Sequence, residues 1–381
     1  MKQRLQSKIN SLIICLLPLF ITINVHSAPS SSSWSLEQRT PYNVKVQQAS
    51  ALDYHPLKNT IKPWKICALV PHLKDAYWIG IDYGLVQHAN ALNIKLELFE
   101  AGSYYGKKKQ LSQLSHCMNH DYDAILLGSV DPKLLSYYYD PITKPVIALV
   151  NRIDSPAIKT RVGVSWYQMG WHAGHFIREQ VEKSHLENRL ENRLENRLEN
   201  HSKTDNKEQA NTTLALLTGP DKQGGSDWVE QGIMAALENS KVTISSIRHA
   251  DNNRNLYRDQ LHHLLNDQTP DYILGSAVAI EAAIGEIQHK QVEDKVKLVS
   301  SYLSPAVLRG LFRNKVAFSS DDLVVLQGKL AIDIMVRILE GEGEFGDIGP
   351  AIQMLEKDVL SDNILSDSLA PAEFYPIYRV N

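Results

Sequence analysis

The feature that most constrains the fold is an alternation of strands and helices that starts near Trp64 and continues through most of the chain. Residues 66–70 form a short, unbroken apolar run, which is typical of a strand buried on both faces. Trp78, Ile81 and Leu85 then recur at helical spacing. Repeated units of this kind predict parallel sheets with helices on both faces. We therefore assign the chain to the α/β class, with two doubly wound Rossmann-like lobes favoured over one oversized sheet.

The same reasoning places the remaining elements. Residues 161–164 are also strand-like, and Trp166 follows them directly. Residues 219–226, GPDKQGGS, separate a strand from a helix, and a tight glycine turn with Ser226 as N-cap is favoured over an anion-binding loop. We predict strands at 94–99, 124–127, 146–150, 213–218, 242–247, 272–274, 296–300 and 316–319, and helices near 226–239, 255–266, 278–289, 304–313 and 326–340.

The amino terminus has the composition of a secretory signal peptide. MKQRLQSKIN carries three basic residues, an apolar run follows, and small residues surround Ala28. We predict that 1–27 is a signal peptide and that the mature protein is periplasmic, without membrane insertion after cleavage. An uncleaved anchor is the alternative. Residues 28–61 are polar at first and lack periodicity, so they are predicted to form an exposed extension.

Charge and cysteine content narrow the choice of partners. The net charge of −3 and the lack of a basic stripe argue against a nucleic-acid partner. Signal cleavage leaves Cys67 and Cys117, which in an oxidising compartment indicate one disulfide, with two buried thiols as the alternative. There is no CxxC motif and no Cys/His cluster, so neither a metal site nor a cofactor is predicted.

One segment interrupts the alternation. Residues 186–201 contain four copies of a four-residue unit, LENR, with His at the last position. A period of four drifts on a helix of 3.6 residues per turn, and it places like charges at i,i+4. We therefore predict a low-complexity surface insertion over 186–211 that is frayed or disordered. A partner-binding coiled coil is the alternative.

Aromatic and polar side chains follow several of the predicted strands. In a doubly wound sheet these strand ends face one crevice, where ligands bind. An aromatic-walled crevice with an acid suits a methylated ammonium, which has no N–H to donate and is held by cation–π attraction of about 0.5–2 kcal/mol per face. Simple packing at helix starts is the alternative for each residue alone. The residues are Asp75, Tyr77, Trp78, Tyr104, Asn151, Trp166, Tyr302 and Asp322.

Longer stretches resemble the type I periplasmic binding protein family, and within it the sensors of trimethylamine N-oxide (TMAO). The resemblance covers about 64–380 apart from the insertion. It implies two lobes joined by a three-stranded hinge, which close on TMAO. It also implies a complex with the periplasmic domain of a membrane sensor histidine kinase that controls TMAO respiration. The stretches are WKICALVPHLKDAYWIGIDYG, FEAGSYYG, AILLGS, LVNRIDSP, RVGVSWYQMGW, GPDKQGGS, GSAVAIEAAIGE and SYLSPAVLRG.

The resemblance further implies a role for each site residue. Asp75 and Asp322 would supply negative potential or orient the rings. Asn151 would be a remnant of the polar residues with which the family pairs sugar hydroxyls. The cage around the trimethylammonium head would consist of Tyr77, Trp78, Tyr104, Trp166 and Tyr302.

The resulting interpretation is a two-lobe binding protein. Lobe 1 would comprise 62–151 and 323–348, and lobe 2 would comprise 152–322 and 349–381. The main rival is the substrate-binding component of an ABC importer for a sugar, polyol or betaine-like solute. A small-molecule enzyme is disfavoured because the sequence offers no persuasive nucleophile–base–acid set. A transcriptional regulator on the same core is disfavoured by the signal peptide and by the lack of a helix-turn-helix.

Overall fold

A computed structural model describes residues 33–43, 48–198, 211–357 and 365–381, with only the backbone for 192–198. The predicted signal peptide lies outside these ranges. Within them, no helix has both the length and the apolar character that a bilayer-spanning segment needs.

The elements alternate as the sequence predicts over the central part of the chain. The strands are β1 (Trp34–Arg39), β2 (Ser50–Tyr54), β3 (Lys65–Val70), β4 (Lys95–Glu100), β5 (Ala124–Leu127), β6 (Val146–Leu149), β7 (Thr160–Val162), β8 (Thr212–Leu217), β9 (Val242–Ile247), β10 (Tyr272–Gly275), β11 (Lys297–Ser300), β12 (Phe318–Asp321), β13 (Gly346–Pro350), β14 (Gln353–Leu355) and β15 (Arg379–Val380). The helices are α1 (Ala76–Ala91), α2 (Lys107–Asn119), α3 (Trp166–Leu198), α4 (Ser226–Leu237), α5 (Arg254–Asp267), α6 (Ala277–His289), α7 (Pro305–Phe312), α8 (Val324–Leu339) and α9 (Leu365–Ser368).

The strands form two sheets. The first has the order β15-β4-β3-β5-β6-β7-β13-β1-β2, and the second has the order β14-β12-β11-β10-β8-β9. Strands β4 to β13 of the first order are parallel, whereas β15, β1 and β2 are antiparallel additions. In the second sheet only β14 runs antiparallel. The predicted α/β fold with two doubly wound sheets is confirmed.

The structure differs from the prediction at the sheet margins. The polar stretch 28–61 is predicted to be an exposed extension, but its described part contains β1 and β2, which pair beside β13. The predicted second lobe begins at 152, yet β7 pairs with β6 and β13 in the first sheet. These pairings are long-range, so local sequence patterns do not report them.

The chain crosses between the sheets several times. It leaves the first sheet after β7, returns between β12 and β13, and leaves again between β13 and β14. The carboxyl terminus comes back to the first sheet as β15. This connectivity places the loops after the parallel strands of both sheets around a shared crevice.

Glycine residues allow two pairs of helices to contact each other closely. A Cβ on Gly84 of α1 would lie 2.0 Å from the carbonyl oxygen of Val325 in α8. A Cβ on Gly170 of α3 would lie 1.9 Å from the carbonyl oxygen of Val229 in α4. Any larger side chain at either position would force the two helices apart.

The predicted disulfide is present. Cys67 of β3 and Cys117 of α2 are bonded, with their Cα atoms 6.2 Å apart. Both cysteines are completely buried. The bond fixes α2 against β3, the strand of the first sheet that leads to α1.

The repeat segment differs from its prediction. The backbone of α3 continues through Leu198, so 186–198 is helical rather than frayed. Leu186 and Leu190 are about half exposed, at 53% and 48%. Leu, Glu and Arg are strong helix formers, and extending an existing helix avoids the cost of nucleation. Helix propensity and the avoided nucleation cost together outweigh the mild repulsion between like charges at i,i+4. Residues 199–210 of the predicted insertion lie outside the described ranges.

A buried acid in α1 predicts a pH-dependent stability. Asp82 is completely buried; its Oδ2 accepts the Ile377 N–H at 2.9 Å, while Oδ1 has no hydrogen-bond partner in the described structure. Burial raises the pKa of Asp82 to about 7. The native state therefore binds more protons than the unfolded state between the two pKa values, and stability falls as pH rises through that window.

We expect Asp82→Asn to increase the free energy of unfolding more at about pH 8 than at about pH 5. Urea unfolding at the two pH values measures this difference. Asp259→Asn, at an exposed position of α5, is the matched control and should change little. A gain for Asp82→Asn that is the same at both pH values would contradict the expectation.

Candidate functional site

A cavity lies where loops from the two sheets meet. Its walls come from the start of α1, the loop after β4, the start of α3, the turn after β8 and the loops after β9 and β11. The lining residues are Asp75, Tyr77, Trp78, Tyr104, Trp166, Thr218, Gly219, Pro220, Gly224, Val229, Asn252, Ser301 and Tyr302.

The start of α1 is fixed by its N-cap. Asp75 has an extended backbone, and its Oδ1 accepts the N–H of Trp78 at 3.1 Å. This bond satisfies one of the free donors of the first turn. It holds Tyr77 and Trp78 at the strand end, where both side chains are buried. One carboxylate oxygen of Asp75 thus caps the helix, and the residue also lines the cavity.

Tyr77 is the centre of the aromatic cluster. Its ring centroid lies 5.2 Å from that of Tyr302 at an interplanar angle of 83°. The corresponding values are 5.9 Å and 30° for Trp166, and 6.0 Å and 65° for Trp78. Edge-to-face arrangements, as in the pairs of Tyr77 with Tyr302 and with Trp78, are among the favoured ones for aromatic pairs. Rings from both sheets are therefore in mutual contact around the cavity.

Asp322 orients this central ring from behind. The Tyr77 hydroxyl donates to its Oδ2 at 2.7 Å, and Gln327 Nε2 donates to the same oxygen at 2.8 Å. Burial raises the pKa of Asp322, and these two hydrogen bonds oppose that shift. Asp322 follows β12 at a crossing between the sheets and does not line the cavity.

Tyr104 is anchored in a similar way by Asn151. Its hydroxyl oxygen accepts hydrogen bonds from Trp78 Nε1 and Asn151 Nδ2, each at 3.3 Å. Asn151 also donates to the Ser129 carbonyl oxygen at 2.9 Å. No acceptor for the Tyr104 hydroxyl proton occurs in the described structure, so this proton can be donated into the cavity.

Four further polar atoms at the cavity are buried without a partner among the described residues. They are Asp75 Oδ2, Asn252 Oδ1, Tyr302 Oη and Trp166 Nε1. Buried polar groups in native proteins nearly always have a hydrogen-bond partner. Two acceptors and two donors left open in one small aromatic cavity point to a ligand that carries polar atoms of its own.

The charge of Asp75 is sensitive to its surroundings. Burial is the main cause that raises its pKa, and nearby Asp251 adds to this effect. His72, whose Nε2 lies 4.0 Å from Asp75 Oδ2, lowers the pKa, as does the N–H of Trp78. The carboxyl group therefore binds a proton more readily than an exposed aspartate does.

The structure brings the eight predicted site residues into one region with two different roles. Six line the cavity, whereas Asn151 and Asp322 hold rings from behind. Sequence reasoning missed Asn252, which carries no aromatic or motif signal. It identified the turn before α4 but assigned the wrong N-cap, because Gly225 rather than Ser226 occupies that position.

Sequence comparison identifies close relatives. A family model described as "Periplasmic binding protein domain" matches residues 66–343. Periplasmic protein TorT of Escherichia coli strain K12 is 33% identical over 361 residues, which is 94% of this chain and 96% of that protein.

Solved structures with a similar fold include two informative cases. An ABC transporter solute-binding protein from Bradyrhizobium sp. BTAi1, with bound bis-tris, has a TM-score of 0.73 and 28% identity, covering 92% of this chain and 100% of that one. A chain of the TorS sensor domain–TorT complex solved in the presence of TMAO has a TM-score of 0.68 and 36% identity, covering 83% and 99%.

The different hydrogen bonding of Tyr77 and Tyr302 predicts that removing the hydroxyl destabilises the protein at Tyr77 but not at Tyr302. Tyr77→Phe leaves buried Asp322 without one of its donors, so we expect a loss of about 1–3 kcal/mol in the free energy of unfolding. Tyr302→Phe removes a hydroxyl that has no partner in the described structure, so the ligand-free protein should lose almost nothing. Urea unfolding of both variants without ligand tests this. Equal losses would show that the two hydroxyls are in similar environments.

Proposed function

The chain belongs to the periplasmic binding protein family and is a periplasmic homologue of TorT, and from this premise we propose that it is a TMAO sensor. In this proposal it binds TMAO in the aromatic cavity and relays its presence to the periplasmic domain of a TorS-like membrane sensor histidine kinase. The signal would control TMAO respiration. The protein acts by binding and does not catalyse a reaction.

The observation that carries the proposal is the set of open polar atoms within an aromatic wall. TMAO has a methylated nitrogen without an N–H and one strongly accepting oxygen. The rings of Tyr77, Trp78 and Trp166 offer faces to the methyl groups. The Tyr104 and Tyr302 hydroxyls and the Trp166 indole N–H offer donors to the oxygen.

Asp75 adds negative potential beside the same rings. Its open Oδ2 lies in the cavity wall, and the methylated nitrogen carries the positive end of the ligand. Five aromatic rings line the cavity together with the polar side chains of Asp75, Thr218, Asn252 and Ser301. The rings supply the faces that a small methylated solute needs.

We propose a two-lobe division close to the one predicted from sequence. Residues 62–151 with 323–348 form lobe 1, and 152–322 with 349–381 form lobe 2. The sheet pairings add β1, β2, β7 and β15 to the first lobe. Since cavity residues come from elements of both sheets, TMAO would bind best when the lobes approach each other. This differential affinity would shift the population toward the form that the kinase domain recognises.

The substrate-binding component of an ABC importer is the second candidate. The similarity to the Bradyrhizobium solute-binding protein, which is described as part of an ABC transporter, supports it. This alternative predicts transfer of the solute to a permease and no response of a kinase sensor domain. The two candidates therefore differ in the partner, and a binding experiment with each partner separates them.

Isothermal titration of the mature protein should show saturable TMAO binding, with weaker binding of trimethylamine and glycine betaine and none of ribose. Trp78→Ala and Trp166→Ala each remove an aromatic face, so we expect affinity to fall by more than about thirtyfold, as for a hot-spot aromatic worth about 2 kcal/mol. Trp171→Ala, in the same helix as Trp166 but outside the cavity lining, is the matched control. Retained affinity in both cavity variants would refute the cage.

A second titration tests the kinase partner. If TMAO changes the affinity for a TorS-like sensor domain by a given factor, the sensor domain must change the affinity for TMAO by the same factor. We expect this factor to differ from one and to agree between the two experiments. No binding of the sensor domain, with or without TMAO, would leave the importer role as the better explanation.

A further inference from the structure

The turn between β8 and α4 contributes a cavity wall without aromatic residues. Gly224 and Gly225 have φ values of +57° and +83°, a region that favours glycine. Ser226 fixes the turn, because its Oγ donates to the carbonyl oxygens of Pro220 and Gln223. The turn is therefore a defined surface and not a loose loop.

Both glycines lie directly against rings of the cavity. A Cβ on Gly224 would be 3.0 Å from Cζ and 3.1 Å from the hydroxyl oxygen of Tyr104. A Cβ on Gly225 would be 2.7 Å from Cγ of Trp166. Tyr104 follows β4 of the first sheet, whereas the turn follows β8 of the second. The Gly224–Tyr104 contact thus joins elements of the two sheets across the cavity.

Tyr104 is not able to move aside easily. Its hydroxyl oxygen accepts from Trp78 Nε1 and Asn151 Nδ2, and its ring lies edge-on to His72 at 5.6 Å and 80°. The side chain is only 5% exposed. A methyl group at position 224 would therefore displace the turn rather than the ring.

We propose that Gly224 is a specificity-determining residue. Because it has no side chain, the turn can approach Tyr104 closely, and this contact limits the size of the cavity. A side chain at 224 would hold the turn away and enlarge the cavity, which favours longer trimethylammonium solutes such as glycine betaine over TMAO. The inference deepens the proposed function and rests on it for the identity of the ligand.

Gly224→Ala is compared with Gly341→Ala to separate the contact from backbone strain. Gly341 has a φ of +92°, and a Cβ there would meet no atom within 4 Å. Isothermal titration should show TMAO affinity at least about tenfold weaker for Gly224→Ala than for Gly341→Ala, which is about 1.4 kcal/mol. Glycine betaine affinity should fall less. Equal TMAO affinities of the two variants, or a larger loss for glycine betaine, would overturn the proposal.

A measurement without ligand distinguishes failure of this inference from failure of the proposed function. If the wild-type protein does not bind TMAO, the proposed function is wrong, and the contact itself is tested by urea unfolding. The destabilisation by Gly224→Ala beyond that of Gly341→Ala should disappear in a Tyr104→Ala background, because the contacting ring is gone. If Gly224→Ala folds only when Tyr104→Ala is also present, this result supports the contact equally. If the extra destabilisation by Gly224→Ala persists in the Tyr104→Ala background, the contact with the ring does not limit the position of the turn.

Discussion

The structure of the site depends on the buried hydrogen bond between Tyr77 and Asp322. Tyr77 begins α1 beside the first sheet, and Asp322 lies where the chain crosses from the second sheet to α8. Gln327 Nε2 donates to the same carboxylate oxygen. Since the central ring of the cluster is held at a crossing, a shift of the crossing and a shift of the ring are physically coupled.

The rest of the cavity also combines side chains that are fixed by hydrogen bonds with polar groups that have no partner in the described structure. Asn151 holds Tyr104, and the N-cap bond of Asp75 holds the first turn of α1. The groups that remain open, on Asp75, Asn252, Tyr302 and Trp166, belong to residues that line the space in which a ligand would lie. Leaving them without partners costs stability in the empty protein. That cost would be recovered when a suitable ligand binds.

Much of the fold could be predicted because its central strands are buried on both faces. Strands such as β5, β6 and β10 are buried along their whole length, and their apolar runs are evident in the sequence. Several strands near the sheet margins are not predicted, because they lack such an apolar run. β13 has the sequence GDIGP, which is typical of a turn, and only its pairing with β7 and β1 makes it a strand. The repeat in α3 differs in another way, because its helix propensity outweighs the repulsion of like charges at i,i+4 and the backbone stays helical through Leu198.

For the site, the sequence by itself determined which residue types stand after the strands, and hence that aromatic rings and acids meet at one crevice. Only the tertiary structure decided what each group does. Tyr77 and Tyr302 are equivalent in the sequence, yet one hydroxyl is bound to an aspartate 245 residues away and the other has no partner in the described structure. The turn at Gly224 likewise acquires its importance from Tyr104. Contacts between residues so far apart in the chain leave no local pattern, so they exist only once both sheets have formed and packed.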